Sequence, residues 1–139
     1  MRKTTGYRGF TLIELMVVVA IVAILSTVAV PWYGQYVQRG VRGEAISALQ
    51  GILDAQERFY TDRMTYTANL TDLGLADPFI TPRGDYQITA RVCAAATPLT
   101  QCVELIATAI NAQAEDGNLV VNSRGRQERI LPDNSVVSW

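Results

Sequence analysis

The sequence has no histidine and only two cysteines among its 139 residues. Histidine is the commonest general base in enzymes and a frequent zinc ligand, so its absence excludes Ser–His and Cys–His catalysis. Cys93 and Cys102 are too few for a structural zinc site, but they can form one disulfide, which would indicate an oxidising compartment. Two free thiols are the alternative. We expect neither enzymatic activity nor a metal or other cofactor.

The sequence also lacks the positive surplus that is usual for nucleic-acid-binding proteins, since its formal net charge is −1. Charge is unevenly distributed along the chain. Arg2, Lys3 and Arg8 precede Gly9, whereas all 13 acidic residues lie beyond it. The chain therefore begins with a basic segment attached to an otherwise acidic protein.

A long apolar segment follows the basic residues. The 19 residues Leu15–Tyr33 carry no charge, and the uncharged run extends to Gln38. As a helix, this segment would be about 28 Å long, close to the hydrocarbon thickness of a bilayer. Basic residues before such a helix predict a cytoplasmic N-terminus and a periplasmic or extracellular remainder. A cleaved secretory signal peptide and a plain anchor helix are alternatives, but the run is longer than a usual signal and lacks an A-x-A site.

A carboxylate stands at the start of the apolar segment, in the sequence GFTLIEL of residues 9–15. At that depth a charge costs about 2–3 kcal/mol, so Glu14 needs a partner, and the nearest cation in the sequence is Arg8. Without a partner, the carboxylate would have to lie among lipid headgroups or be protonated. With basic residues before it and an apolar helix after it, GFTLIEL resembles the class III signal of type IV pilins and their relatives.

The resemblance implies a processing and assembly role for three residues. A prepilin peptidase would cleave between Gly9 and Phe10 and methylate the new amine of Phe10. The carboxylate of Glu14 would then meet the Phe10 amine of a neighbouring subunit during assembly. The expected organisation is a leader at 1–9, a transmembrane and polymerisation half of the N-terminal helix at 10–38, and a globular domain at 39–139.

Pro31 is expected to kink or break the helix, because proline removes a backbone hydrogen bond. The resemblance implies that the helix melts locally before this proline in the fibre, although Ala23 stands where the family often has glycine. From Gly43 to about Asp62, apolar residues recur at intervals of three and four, which predicts an amphipathic helix.

After Gly84 the apolar period changes to two. Strands are predicted at 86–92, 103–109 and 119–121, with shorter pieces at 129–131 and 136–137, and Asp116–Gly117 is predicted as a hairpin turn. The expected fold class is α+β, a pilin fold with one long helix packed on a small antiparallel sheet. A Cys93–Cys102 disulfide would close the loop between the first two strands and leave 37 residues beyond it, unlike the C-terminal disulfide loop of many pilins.

A second resemblance concerns residues 57–75, ERFYTDRMTYTANLTDLGL, which are similar to minor pilins of the PilE type. It implies a structural, minor subunit of a type IV pilus, located in the bacterial inner membrane and then in an extracellular fibre used for adhesion, twitching motility or DNA uptake. The implied partners are other pilin subunits, the prepilin peptidase and the inner-membrane assembly platform. A pseudopilin of a type II secretion system and a membrane-tethered periplasmic binding module are the alternatives. Nucleic acid is a further candidate partner, through the basic cluster Arg124, Arg126 and Arg129.

Overall fold

The computed structural model describes residues 9–94 and 97–139, and in the helix the side chains of 28–31 also lie outside the description. The chain divides into two compact units, Met1–Val37 and Gln38–Trp139. The basic residues of the predicted leader and the side chain of Pro31 fall outside the described part. Cleavage after Gly9 and a kink at Pro31 therefore stay predictions.

One α-helix, two short 3₁₀ helices and six strands make up the regular structure of the described residues. The helix α1 spans Leu12–Arg63, and a short 3₁₀ helix follows at Leu70–Leu73. The strands form one antiparallel sheet in the order of the chain, with a second 3₁₀ helix, Asn111–Asp116, between the third and fourth. The strands are β1 Phe79–Ile80, β2 Tyr86–Val92, β3 Val103–Ala109, β4 Asn118–Asn122, β5 Gln127–Ile130 and β6 Val136–Val137.

The core of the second unit follows from the two periodicities of its sequence. Along α1, buried positions recur at intervals of four, four and three, which places them on one helical face. In β2 and β3 the register pairs Ile88 with Ala107 and Ala90 with Leu105, so small and large side chains alternate on the inner face. The buried residues of α1 are Val41, Ala45, Leu49 and Ile52, together with Gln56.

Gln56 ties the segment after the helix back onto it. Its amide is fully buried, and Nε2 donates to the carbonyl of Thr67 at 2.7 Å while Oε1 accepts from the Thr67 N–H at 3.0 Å. A buried amide is tolerated only when its donors and acceptors are paired, and here the backbone of one residue pairs both ends. The periodic pattern alone did not predict this contact.

Most predicted elements are confirmed. The strands at 86–92 and 103–109 have the predicted bounds, and α1 ends at Arg63, one residue after the expected position. Strand β1, which pairs Phe79 with Ile88, was missed inside a predicted loop because two residues are too short for a period-two pattern.

The predicted hairpin turn at Asp116–Gly117 is wrong. The 3₁₀ helix Asn111–Asp116 fills the connection instead, and Asp116 is turned into the core by its ion pairs. Gly117 has a φ of 91°, and a Cβ there would lie 2.4 Å from the carbonyl oxygen of Ile130. Only glycine fits this position, because it needs both a positive φ and a close approach to β5.

Candidate assembly site

The N-terminus of α1 is a capping box made by Thr11 and Glu14. The Thr11 N–H and hydroxyl donate to Glu14 Oε2 at 3.2 and 3.1 Å, and the Glu14 N–H donates to Thr11 Oγ1 at 3.2 Å. A threonine at the N-cap and a glutamate three residues later pair backbone N–H groups that the first helical turn leaves open. The carboxylate therefore has hydrogen-bond donors within its own chain, which the sequence did not lead us to expect.

The predicted processing residues lie beside this cap. Gly9, Phe10, Thr11 and Glu14 line one open surface, and the Phe10 side chain is 87% exposed. The hydrogen bonds to Glu14 converge on Oε2, and among the described residues none reaches Oε1. One carboxylate oxygen next to the predicted N-terminal amine is thus open to a further donor.

The apolar part of α1 has no packing partner among the described residues of its own unit. From Leu12 to Leu25 every large apolar side chain is more than half exposed. A contiguous surface of this size marks a protein or membrane interaction site. Among the described residues, no single helix meets the length and hydropathy expected of a membrane span. Two segments of α1, Leu12–Thr27 and Trp32–Arg63, meet these two criteria only when they are taken together.

Cys93 and Cys102 form the predicted disulfide, with their Cα atoms 5.7 Å apart. It closes the connection between β2 and β3 at one end of the sheet. Two hydrogen bonds join that connection to the end of α1 and to the segment that follows it: the Tyr60 hydroxyl donates to the Thr100 carbonyl at 3.2 Å, and the Tyr66 N–H donates to the Leu99 carbonyl at 3.1 Å. This end of the unit is referred to as the disulfide end.

The second unit contains a buried charge network that the sequence did not predict, here named the Asp116 cluster. The Asp116 side chain is 5% exposed and accepts two hydrogen bonds from Arg42, at 2.6 and 2.7 Å, and one from Arg129 at 3.0 Å. Gln113 Nε2 donates to the same carboxylate at 2.9 Å and to the Gln38 carbonyl at 3.1 Å. The cluster thereby attaches the first turns of α1 in this unit to β5 and to the 3₁₀ helix.

Tyr86 completes the Asp116 cluster. Its hydroxyl donates to Asp116 Oδ2 at 3.3 Å, and its side chain is fully buried. Burial raises the pKa of Tyr86 to about 12, and the nearby Asp116 carboxylate adds to this effect. The hydroxyl therefore stays protonated and remains a hydrogen-bond donor throughout the neutral pH range.

The predicted basic cluster is divided by these contacts. Arg129 points to Asp116, and Arg126 pairs with Glu128 and with Glu104. The hydrogen bond from Arg126 holds the pKa of Glu128 below its usual value. Arg124 is exposed and has no ion pair among the described residues, so it is the member of the predicted cluster that can meet an anion without sharing its charge with a neighbouring acid.

Glu104 organises a second pair of arginines at the disulfide end. Its side chain is 1% exposed and accepts from Arg91 at 2.6 Å, while the Arg91 side chain itself is 60% exposed. Arg126 approaches the other carboxylate oxygen at 3.5 Å and is 49% exposed. The carboxylate is thus covered by two guanidinium groups that present their outer edges to solvent.

A long helix with an exposed apolar N-terminal half, followed by a six-stranded antiparallel sheet, is the fold of a pilin-type subunit. A family profile described as type IV minor pilin ComP, DNA uptake sequence receptor, matches residues 31–119, and a profile described as prokaryotic N-terminal methylation motif matches residues 5–30. The first profile covers more than half of the chain. The chain belongs to this family of type IV minor pilins, whose members are structural pilus subunits that assemble with other pilin subunits.

Similarity to individual pilins covers a shorter part of each relative. The chain is 42% identical over 82 residues to type IV major pilin protein PilE1 of Neisseria gonorrhoeae, covering 59% of the chain and 50% of that protein. It is 39% identical over 90 residues to fimbrial protein EcpC of Eikenella corrodens, covering 65% and 57%. For type IV major pilin protein PilA of Myxococcus xanthus the identity is 37% over 83 residues, covering 60% and 37%. The chain spans about half the length of the curated relatives it matches.

Proposed function

We propose that the chain is a minor subunit of a type IV pilus, anchored in the inner membrane as a precursor and drawn into the fibre through α1. The observation that carries this proposal is the family match over residues 31–119, joined to a methylation motif that ends where it begins. The role is structural and not catalytic. A prepilin peptidase and an inner-membrane assembly platform are the partners that processing and extraction require.

The geometry of the capping box supports a role for Glu14 in assembly. Because Thr11 occupies only Oε2, the carboxylate can keep its helix cap and accept a charged donor at Oε1. After cleavage, the amine of Phe10 on a neighbouring subunit is such a donor. A charge-assisted hydrogen bond in an apolar setting is about twice as strong as a neutral one, so this contact can set the register between subunits.

The test is N-terminal peptide mass spectrometry of sheared fibres from cells that express wild type or Glu14→Ala. Wild type is expected in the fibres, beginning at N-methylated Phe10. Glu14→Ala is expected to be processed but to stay in the membrane. Glu115→Ala is the control, since Glu115 is an exposed acid in the second unit and has no ion pair among the described residues. A wild-type chain that retains residues 1–9, or that is processed but absent from fibres, contradicts the proposal.

A second candidate function is contact with DNA, which the description of the matching family favours. The chain is acidic beyond Gly9, so binding requires a local concentration of cations. At the disulfide end, Arg91, Arg124 and Arg126 are exposed, and the acid between two of them, Glu104, is buried. We propose that these arginines contact phosphate groups.

The experiment compares duplex-DNA binding by the full chain in detergent at several salt concentrations, with Arg91→Ala/Arg124→Ala against Arg83→Ala. Arg83 is exposed just before the opposite end of β2, so its variant controls for loss of a positive charge away from the disulfide end, and the two variants are compared per charge removed. Removing one arginine–phosphate ion pair should reduce the slope of log affinity against log salt by about 0.9. Equal affinities and slopes for the double variant and the control contradict a DNA-binding role for the disulfide end.

A further inference from the structure

Three exposed aromatic residues follow the apolar segment of α1. Trp32, Tyr33 and Tyr36 are 76%, 71% and 76% exposed, in a helix whose first buried residue within the described part is Val41. At 3.6 residues per turn, the three side chains lie within an arc of about 100°. Trp139 Nε1 donates to the Glu128 carbonyl, whereas the polar tips of these three residues make no hydrogen bond within the described part of the chain.

Exposed tryptophan and tyrosine side chains are best accommodated where an apolar environment borders a hydrated, polar one. The rings of tryptophan and tyrosine are large and apolar, but the indole N–H and the phenol hydroxyl need hydrogen-bond partners. The interface between lipid headgroups and acyl chains supplies both, and these two residue types concentrate there.

The spacing along α1 fits this environment. From Glu14 to Trp32 the helix contour is about 27 Å, and to Tyr36 about 33 Å, which brackets the hydrocarbon thickness of about 30 Å. No charged residue lies between Glu14 and Arg39, which follows Tyr36 by three positions. Glu14 and the aromatic residues would therefore lie at opposite surfaces of one bilayer.

We infer that Trp32, Tyr33 and Tyr36 form an aromatic anchor that binds the periplasmic headgroup interface of the membrane before the subunit is assembled. The inference rests on the proposed function, because it requires α1 to be inserted in a bilayer. The anchor sets the depth of α1, so that Phe10 and Glu14 lie at the cytoplasmic surface, where the peptidase acts. It must leave the lipid when the subunit enters the fibre.

The experiment measures tryptophan fluorescence of the full chain in vesicles of phosphatidylethanolamine and phosphatidylglycerol that contain brominated lipids. The difference between wild type and Trp32→Phe isolates Trp32 and leaves Trp139 untouched. Bromines close to the headgroup are expected to quench Trp32 about twofold more strongly than bromines near the acyl terminus, as for an interfacial indole. Tyr36→Trp in the Trp32→Phe background should show the same preference.

Val22→Trp in the Trp32→Phe background is the depth control, and it should be quenched most by the deep bromines. If Val22→Trp is deep and Trp32 is unquenched or equally deep, the aromatic anchor is wrong and membrane insertion stands. If neither position is quenched, the membrane stage of the proposed function fails together with the anchor.

Discussion

Removing the carboxylate of Asp116 is expected to be the most destabilising single change to the charged residues of the globular unit. In Asp116→Ala, the guanidinium groups of Arg42 and Arg129 lose their ion pairs while their side chains remain only 23% and 20% exposed. Gln113 and Tyr86 also lose an acceptor for a buried donor. Deleting one partner of a buried ion pair typically costs about 3–5 kcal/mol, and partial solvent access to the arginines places this variant near the lower end, at about 3 kcal/mol.

That magnitude is a large fraction of the total stability, which for a domain is on the order of 5–15 kcal/mol. The two arginines should differ in how much stability is lost when each is replaced by alanine. Arg42 donates through two nitrogens, at 2.6 and 2.7 Å, whereas Arg129 donates to the carboxylate through one at 3.0 Å. We therefore expect Arg42→Ala to destabilise more than Arg129→Ala, and both less than Asp116→Ala, because neither leaves two charges unpaired.

The assay is urea unfolding of the full chain in detergent, followed through Trp139 in a Trp32→Phe background. Trp139 is a suitable probe because its indole N–H is bonded to β5, the strand that carries Arg129. Glu115→Ala is the matched control: it removes an exposed acid from the same 3₁₀ helix and should change stability by less than about 0.5 kcal/mol. An Asp116→Ala variant as stable as Glu115→Ala would refute the reasoning.

Three further predictions address the cap, the buried phenol and the disulfide. Thr11→Val removes the N-cap hydroxyl and should lower the stability of α1 by about 1 kcal/mol, whereas Thr11→Ser should preserve that stability. The measurement is amide hydrogen exchange of the helix in micelles. Equal exchange rates in the two variants would contradict the capping box. Because the folded pKa of Tyr86 is raised to about 12, its contribution to stability is complete below the unfolded value of about 10 and is lost as pH rises towards 12. Tyr86→Phe should weaken this loss of stability at alkaline pH. An unchanged pH profile of unfolding in the variant would show that Tyr86 is not its source. Cys93→Ser/Cys102→Ser should destabilise by about 2–3 kcal/mol and make stability independent of reductant, in contrast to wild type.

The aromatic anchor, the capping box and the Asp116 cluster belong to different stages of the proposed life of the subunit. The first two lie on the helix that, in the proposed function, moves from lipid into the fibre. The third holds the beginning of the globular unit, through Gln38 and Arg42, to the sheet. Variants of Glu14 should therefore reduce incorporation while the globular unit stays folded, and variants of Asp116 should affect folding of the globular unit first.

Several elements were predictable from local pattern alone. The apolar run, the basic residues before it and GFTLIEL occupy one contiguous stretch, so spacing along the chain was enough to indicate an anchor and a pilin signal. The strand at 86–92 alternates strictly and that at 103–109 alternates except at Ile106, and the alternation marks most of the side chains that face the core. The disulfide was predicted with two free thiols as the alternative, because two cysteines in a chain expected to be exported allow only one intramolecular pairing, and the structure confirms it.

Other features depend on contacts between residues that are distant in the chain. Arg42 and Asp116 are separated by 74 positions, and neither belongs to a motif that would reveal the pair. Gln56 occupies a position in the buried stripe of α1, but its role exists only because Thr67 returns to meet it. The arginines of the predicted basic cluster are close in sequence but do not act as one site. Arg129 forms an ion pair with Asp116, whereas Arg126 forms an ion pair with Glu128.

The sequence by itself determined the long helix, its apolar half, the processing motif and the alternation of the main strands, because each is encoded in residues a few positions apart. Tertiary structure alone decided that the connection before β4 is a 3₁₀ helix, that Gly117 must approach Ile130, and that Asp116 is buried with two arginines. The physical reason is that burial of a charge depends on which distant donors reach it, and only the folded chain brings those donors together.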